Sequence, residues 1–257
     1  MKQNAKVASS SRGSRRQPEA SRAAILKAAL AEFAQQGLAG ARMDAIAAAA
    51  GVNKALLYYY FRSKDALYAA VLDQFFVRLR SRIGEALAAP VSAGERILLY
   101  ARAHFDSVAE SPYYARLFQG EMMSAGREGS PHLSHIVGAY IQPIAMSVWE
   151  VLQEGIAGGE FRRIDPMQFA PTMAATIVFY FVSSPVIRRV RGGDPYSSQA
   201  IAERRAAVLD FIAAALFQNR DTGLKLAADI ARREPLSDNS HTVGATPLLS
   251  KPRGRRK

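Results

Sequence analysis

Residues 42–61 read R-M-D-A-I-A-A-A-A-G-V-N-K-A-L-L-Y-Y-Y-F, and this stretch decides the fold. Its first half predicts a short helix whose apolar face recurs at helical spacing, formed by Met43, Ile46, Ala47 and Ala50. Gly51 follows at once, where the end of a helix needs a residue that tolerates positive φ. The run of four alanines allows this helix to pack closely on a neighbour.

The second half of the stretch predicts another short helix. Asn53 is a good N-cap, and Leu57 and Phe61 are four residues apart, which places both toward a core. The remaining faces carry Lys54, Ala55, Tyr58 and Tyr59. Two short helices joined by a tight turn indicate a helix-turn-helix, whose second helix enters the major groove of DNA.

The composition indicates a globular chain that does not cross a membrane. At 257 residues, 49% of them hydrophobic, the chain has room for about two domains with a real core. Cysteine is absent, which excludes disulfides, thiolate metal sites and cysteine nucleophiles. No signal peptide is visible, and the apolar stretch 173–182 is shorter than the about 20 residues that a bilayer requires. We therefore expect a soluble, cytoplasmic protein.

The positive charge is concentrated at the two ends of the chain. Of the formal net charge of +12, five basic residues lie in 1–18 and five in 251–257, with no acid in either range. Residues 19–250 are therefore close to neutral. Basic tails suit a polyanion such as DNA, although they also serve as solvated solubility tails.

Helical patterns continue through the rest of the chain, and no alternating strand is seen. We predict a disordered basic arm over 1–18, a first helix from near Ser21 to Gln36-Gly37, and a long helix capped by Ser63. Gly, Pro and Ser breaks then separate further helices, which are predicted over 94–110, 112–126, 131–157, 166–188, 197–219 and 220–234. The helix over 131–157 is predicted to kink or divide near Gln142-Pro143. Residues 235–257 are predicted to be a loose tail, and the fold class is all-α.

The stretch A-G-V-N-K-A-L-L-Y-Y-Y-F-R-S-K-D-A-L, residues 50–67, resembles the TetR (TetR/AcrR-type) family of transcriptional regulators. The turn glycine, Leu57, Tyr58, Phe61 and Ser63-Lys64 all lie at the family's spacing. The resemblance implies an all-α homodimer with a three-helix DNA-binding domain over 19–80. It also implies a helical effector-binding and dimerisation domain over 81–234.

Nine residues are predicted to contact DNA: Arg42, Met43, Asn53, Lys54, Ala55, Leu56, Tyr58, Tyr59 and Lys64. The likeness to the family implies roles at bases and phosphates for most of them. Lys54 can reach a guanine edge or a phosphate, and tyrosine hydroxyls can donate to phosphate oxygens. Lys64 begins a helix, whose N-terminus suits an anion.

Two positions depart from the family pattern. Ala41-Arg42 stands where a Thr or Ser often caps the second helix, so that cap is predicted to be missing or supplied elsewhere. Leu56 replaces a small or hydroxylated residue. It could touch a thymine methyl or pack inward, and the base preference is therefore not readable.

An apolar effector pocket is predicted from aromatic and methionine side chains that follow Pro112. Its members are His104, Tyr114, Phe118, Met122, Met146, Trp149 and Phe179, with His104, Arg116 and Glu121 as possible polar groups. Individually, the same side chains are also typical of an ordinary core. The four histidines and the lack of a Gly-rich loop predict no metal and no cofactor.

Two wide apolar stripes lie on the last two long helices. The first contains Ala170, Ala174, Ile177, Val178 and Phe181, and the second contains Ile201, Val208, Phe211, Ile212 and Ala215. By likeness to the family these helices would pair across a four-helix homodimer interface, whose predicted residues are Ala174, Ile177, Val178, Phe181, Val208, Phe211, Ile212 and Ala215. A monomer core would use the same stripes, so composition does not decide between them.

These features predict a homodimeric regulator, a repressor released from a palindromic operator by a small apolar effector. One alternative is a nonspecific, nucleoid-type DNA binder driven by the basic tails. Another is an enzyme or small-molecule carrier that retains a vestigial helix-turn-helix, but no grouped nucleophile, base and orienting residue supports it.

Overall fold

The computed structural model describes residues 10–128 and 130–233, and within them the chain is built from helices without a strand. The elements are α1 (Ser10–Gly40), α2 (Met43–Ala49), α3 (Lys54–Tyr60), α4 (Lys64–Leu87), α5 (Ala93–Ala109), α6 (Pro112–Glu128), α7 (Pro131–Ile136), a π-helix (Val137–Ile141), α8 (Gln142–Ala157), α9 (Pro166–Val182), α10 (Ser184–Arg191), α11 (Ser198–Leu216) and α12 (Arg220–Arg232). The predicted all-α class is confirmed.

The first helix begins earlier than the sequence pattern indicates. It starts at Ser10 rather than near Ser21 and runs through Pro18, so the prediction of disorder is wrong for residues 10–18. Ser, Arg and Gln are acceptable helix residues, and a helix that has nucleated extends at little further cost. Apolar periodicity cannot detect such a polar extension. The remaining nine residues of the arm, and the predicted tail over 235–257, lie outside the described residues.

Local sequence signals break or begin helices at the predicted residues. Gly37, with φ of +67°, breaks α1 where the sequence pattern ends it. The Asn53 side chain accepts from the Leu56 amide at 2.7 Å, and the Ser63 hydroxyl accepts from the Ala66 amide at 3.0 Å. Each of these contacts satisfies a backbone N–H group that a helix start leaves unpaired.

The start of α2 lacks a side-chain cap and is held instead by a carboxylate from another helix. Arg42 makes no side-chain cap, but its backbone N–H donates to Glu32 Oε1 of α1 at 3.1 Å. A carboxylate at this point also favours the positive end of the α2 dipole. The turn between α1 and α2 is therefore held by a contact between residues distant in sequence.

The long helix α4 connects the N-terminal helices to the rest of the molecule. It packs against α1 at one side and α5 at the other. Its apolar row Leu67, Val71 and Phe75 is buried. The predicted domain boundary at residue 80 falls inside α4, so both parts of the chain share one rigid element.

Two of the predicted helices are divided. The range 131–157 contains α7, the π-helix and α8, with the break close to Pro143, as the sequence allows. The predicted helix over 166–188 is instead α9 and α10, which meet at Ser183 with a bend of 65°. Pro185, at the second position of α10, has no N–H group to donate to the carbonyl four residues earlier, so the helical hydrogen bonds of α9 cannot continue through it.

Among the described residues, no single helix combines the length and hydropathy that a membrane crossing needs. Helices α9 and α10 have the required length and hydropathy only when they are counted together, and a bend of 65° separates them.

Two phenylalanines near the chain's C-terminal helices occupy spaces left by glycines. Phe161 and Phe217 form an isolated antiparallel bridge, with ring centroids 5.5 Å apart. A Cβ atom on Gly155 would lie 2.2 Å from the Phe161 ring. Glycine is therefore required here by close packing.

Gly155→Ala is expected to destabilise the protein by about 1–3 kcal/mol, because the buried Phe161 ring must shift. The free energy of urea unfolding measures this. Gly84→Ala is the matched control, since nothing lies within 4 Å of a Cβ there. That helical position should gain about 0.5–1 kcal/mol. Equal effects of the two changes would contradict the packing account.

Candidate DNA-binding surface and ligand cavity

The second helix of the helix-turn-helix presents an uncovered face. Leu57 and Phe61 are buried beneath α3, whereas Tyr58 is 40% exposed and Tyr59 is 79% exposed. Large aromatic side chains that are exposed next to one another indicate a surface that binds a partner. Their hydroxyl groups can donate to phosphate oxygens, and phosphate contacts orient a protein on a duplex.

The cation at the start of α3 has a partner that the sequence did not suggest. Lys54 Nζ lies 2.8 Å from Asp44 Oδ1 of α2, and both side chains are more than half exposed. The hydrogen bond that the Lys54 ammonium donates to the Asp44 carboxylate raises the pKa of Lys54 and lowers the pKa of Asp44. The pair stands in water at the exposed edge of the motif, and Asp44 sets the direction of the ammonium group.

The other predicted DNA contacts occupy different environments. Arg42, Asn53 and Ala55 are exposed, and Leu56 is half-buried. Met43 is 8% exposed and belongs to the core, so its side chain is not available to a base. Helical spacing had placed Met43 on the apolar face, and the structure agrees with that assignment.

Lys64 is engaged within the motif. Its ammonium donates to the carbonyls of Ala39 at 2.9 Å and Ala41 at 3.3 Å, which tie the turn before α2 to the start of α4. An ammonium has three donors, so one remains for a phosphate. The contact of Lys64 with DNA stays a prediction.

An apolar cavity of about 350 Å³ lies between the helices that follow the motif. Its volume is at the lower end of the about 300–1,000 Å³ of small-molecule sites. Helix α4 contributes Phe75, Phe76, Leu79 and Ile83, and further walls come from α5, α6, α8 and α9. Among its lining residues there is no Lys, Arg, Asp or Glu.

Three of the predicted pocket residues line this cavity and four do not. His104, Tyr114 and Phe118 are at the wall, and Tyr114 stacks on Phe75 with ring centroids 4.5 Å apart. The residues outside the lining are Met122, Met146, Trp149 and Phe179, three of which are about half exposed or more. Aromatic and Met content alone does not show which side of a helix faces inward. The α4 residues were missed because their stripe also fits a plain core.

Neither of the other proposed polar groups reaches the cavity. Arg116 is exposed, and Glu121 is 5% exposed. Glu121 accepts hydrogen bonds from the Tyr68 hydroxyl at 2.7 Å and from the Ser130 hydroxyl. The carboxylate therefore joins α4, α6 and the start of α7 rather than a ligand.

The two neighbouring histidines bind α7 to α4. His132 Nε2 lies 3.1 Å from Asp65 Oδ1, and His135 Nε2 lies 2.9 Å from Asp73 Oδ1. Within the described ranges no group of three or more His, Asp or Glu side chains could hold a metal ion. These histidines have a structural role at the junction between the motif and the cavity helices.

The apolar stripes predicted for a dimer interface mostly face inward. Ile177, Phe181, Val208 and Ile212 are each at most 2% exposed within one chain, and Ala174 and Val178 line the cavity. Ala215 is half-buried, and Phe211 is 55% exposed. Six of the eight residues predicted for the dimer interface are therefore core or cavity residues. The sequence could not separate the faces of α9 because that helix is apolar nearly all round.

His104 is a polar side chain set into the cavity wall. Tyr100, one turn earlier on α5, has its hydroxyl 3.3 Å from His104 Nδ1. Burial lowers the pKa of His104 to about 4, so the imidazole is neutral at pH 7. The same apolar surroundings raise the pKa of Tyr100, which stays a hydroxyl.

Because the pKa of His104 is lowered by burial, the folded protein is expected to lose stability in mild acid. Its pKa is about 4 in the folded state and about 6.5 in the unfolded chain, so the unfolded chain binds more protons between these values. The free energy of unfolding should fall as pH is lowered from 6.5 to 4, by about 3 kcal/mol. Urea unfolding of the wild type and of His104→Phe at several pH values isolates this contribution. A pH dependence that the substitution leaves unchanged would refute it.

An uncovered α3 in a helix-turn-helix, held by an all-helical body with an apolar cavity, defines a DNA-binding protein of the helix-turn-helix class. Residues 25–71 match the family described as "Bacterial regulatory proteins, tetR family", and residues 94–212 match "Tetracyclin repressor-like, C-terminal domain". The chain belongs to the TetR family and is a DNA-binding transcriptional regulator, not an enzyme.

Individual relatives agree with this assignment. The chain is 38% identical over 136 residues to the HTH-type transcriptional repressor SCO4008 of Streptomyces coelicolor, a match that covers 51% of this chain and 64%, just under two thirds, of that protein. It is 32% identical over 176 residues to the HTH-type transcriptional regulator RutR of Escherichia coli, covering 67% and 79%. The fold is similar to that of the ketosteroid transcriptional regulator KstR2 of Mycobacterium tuberculosis, with a TM-score of 0.62, 24% identity and coverage of 77% and 95%.

Proposed function

We propose that the protein is a homodimeric repressor that leaves a palindromic operator when a small apolar effector enters the cavity. The observation that carries this proposal is the path of α4. Its first residue, Lys64, holds the turn before α2, and Phe75, Phe76, Leu79 and Ile83 farther along line the cavity. One rigid helix therefore touches both the DNA-binding motif and the ligand site.

The mechanism follows from the position of this helix. A dimer reads two half-sites whose centres are about 34–36 Å apart, so the separation of its two α3 helices must match one turn of DNA. An effector that packs better against a displaced α4 favours the state in which that match is lost. The size of the response is limited by the effector's difference in affinity between the two states.

The proposed dimer face comprises the exposed aromatic residues of α9 and α11, not the buried stripes. Phe179 is 66% exposed and Phe211 is 55% exposed. Exposed phenylalanines on long helices are costly for a monomer and suit the apolar centre of a homodimer interface. A symmetric pair of such faces would set the distance between the two recognition helices.

Phe211→Glu is expected to shift the protein from dimer to monomer and to lower operator affinity at least tenfold. A charge in the centre of an apolar interface is buried without a partner, and a monomer reads only one half-site. Sedimentation velocity and DNA titration measure the two effects. Met123→Glu introduces the same charge at a site on α6 that is 75% exposed, and it should change neither. A Phe211→Glu protein that stays dimeric would exclude this face.

The alternative of nonspecific binding through basic tails makes the opposite forecast. It requires residues 1–18 and 251–257 for binding and assigns little importance to α3. Under the proposed function, by contrast, a protein that lacks both ranges should still select its operator, although its overall binding to DNA should be weaker. A regulator of transcription acts at the chromosome, so we expect the protein in the cytoplasm.

A further inference from the structure

The cavity wall has one polar feature that nothing in the helix-turn-helix uses, the Tyr100–His104 pair of α5. Tyr100 is 3% exposed, and its hydroxyl has His104 Nδ1, at 3.3 Å, as its hydrogen-bond partner. A buried hydroxyl hydrogen without an acceptor is costly. Because a protonated Nδ1 would leave that hydrogen unpaired, Tyr100 donates to Nδ1 and the ring hydrogen of His104 resides on Nε2.

The other ring nitrogen of His104 borders the cavity. In the described part of the chain, Nε2 has no hydrogen-bond partner. It is also not sealed off by surrounding protein atoms, and the space beside His104 is the cavity. A neutral imidazole with Nδ1 occupied thus offers a single N–H donor to whatever fills that space.

The rest of the wall restricts the ligand further. Its lining residues are almost entirely Phe, Leu, Ile, Val and Ala, without a charged side chain. An ion placed there would lose its hydration without gaining a counter-charge. The third polar residue of the wall, Tyr114, has a hydroxyl oxygen that is enclosed by protein atoms and makes no hydrogen bond within the described residues, so it is not open to a ligand in the cavity.

We propose that this cavity selects an uncharged, largely apolar molecule with one hydrogen-bond acceptor, such as a ketone, ester or lactone carbonyl, which accepts from Nε2–H of His104. Tyr100 acts as a positioning residue that holds the imidazole in the donating tautomer. The inference rests on the proposed effector role of the cavity and adds the chemical class of the ligand. Carboxylates, amines and polyhydroxylated molecules are excluded by the same wall.

The first test determines the tautomer in the intact protein. A long-range ¹H–¹⁵N spectrum of histidine-labelled protein, with His104→Phe used to assign the signal, shows which ring nitrogen carries the hydrogen at pH 7. We expect hydrogen on Nε2 in the wild type, and mixed tautomers in Tyr100→Phe, in which Nδ1 has lost its donor. Hydrogen on Nδ1 in the wild type would overturn the proposal.

The second test measures recognition with defined probes. The neutral dye N-phenyl-1-naphthylamine reports cavity occupancy by fluorescence, and 2-octanone, octane, octanoate and octylammonium are titrated as competitors. His104→Phe should weaken 2-octanone about fivefold to tenfold, the loss expected for one hydrogen bond, and should change octane less than about twofold. Comparing the two proteins for each ligand cancels the ligands' different hydrophobicities. Octanoate and octylammonium should displace the dye poorly from both.

The outcomes separate this inference from the proposed function. If dye and octane bind the wild type but His104→Phe leaves 2-octanone unaffected, or if octanoate competes as well as the ketone, the proposed ligand class is wrong and the cavity remains an effector site. If neither dye nor any competitor binds the wild type, the effector role of the cavity fails, and the ligand class fails with it.

Discussion

Lys54→Glu is expected to lower the affinity for operator DNA about 100-fold at moderate salt. The substitution removes a cation at the start of the recognition helix and places a carboxylate beside both Asp44 and the phosphate backbone. Lost base or phosphate contacts cost about 1–3 kcal/mol each, and repulsion adds to that loss. Titration of labelled operator DNA at several salt concentrations measures the effect.

The control for this prediction carries the same change of charge elsewhere. Lys225 is exposed on α12, so Lys225→Glu alters the net charge equally without touching α3. Its effect on DNA affinity should be less than about threefold, because charges beyond a Debye length are largely screened. Equal losses in the two variants would show that net charge, rather than α3, governs binding.

Leu57→Ala is expected to destabilise the protein by about 2–5 kcal/mol. Leu57 is 0% exposed and anchors the recognition helix to the core, so truncation leaves a cavity under α3. Chemical unfolding followed by circular dichroism measures the change, and DNA binding should be lost at lower denaturant concentration than in the wild type.

The neighbouring leucine provides a matched comparison. Leu56→Ala makes the same chemical change one position earlier on α3, where the side chain is half-buried. Its cost in stability should be below about 1.5 kcal/mol, while any loss of DNA affinity would identify Leu56 as a contact to the duplex. Similar destabilisation by both changes would mean that the orientation of α3 differs from the one described.

The helix-turn-helix was predictable because its signals are local. Asn53 and Ser63 cap the helices that follow them, Gly37 breaks α1 near its end, and the spacing of Leu57 and Phe61 identifies the buried side of α3. Each of these features depends on a few neighbouring residues. The sequence contains enough information to place them without knowledge of the rest of the fold.

Contacts between distant residues could not be read in the same way. The hydrogen bond from the Arg42 backbone to Glu32 and the Asp44–Lys54 pair depend on how α1, α2 and α3 cross. The orientation of α9 was equally hidden, since apolar residues surround that helix and Phe179 points outward while Phe181 is buried. Polar side chains mark the exposed side of a helix, and α9 has too few of them.

The proposed function requires α3 to read DNA sequence within a dimer. The most direct measurement is selection of bound fragments from a random DNA pool by the wild type and by Lys54→Ala. We predict that the wild type enriches an inverted repeat with half-site centres about 10 base pairs apart, and that Lys54→Ala enriches it far less. A wild type that enriches no site, with binding that only follows the salt dependence of phosphate contacts, would contradict the account.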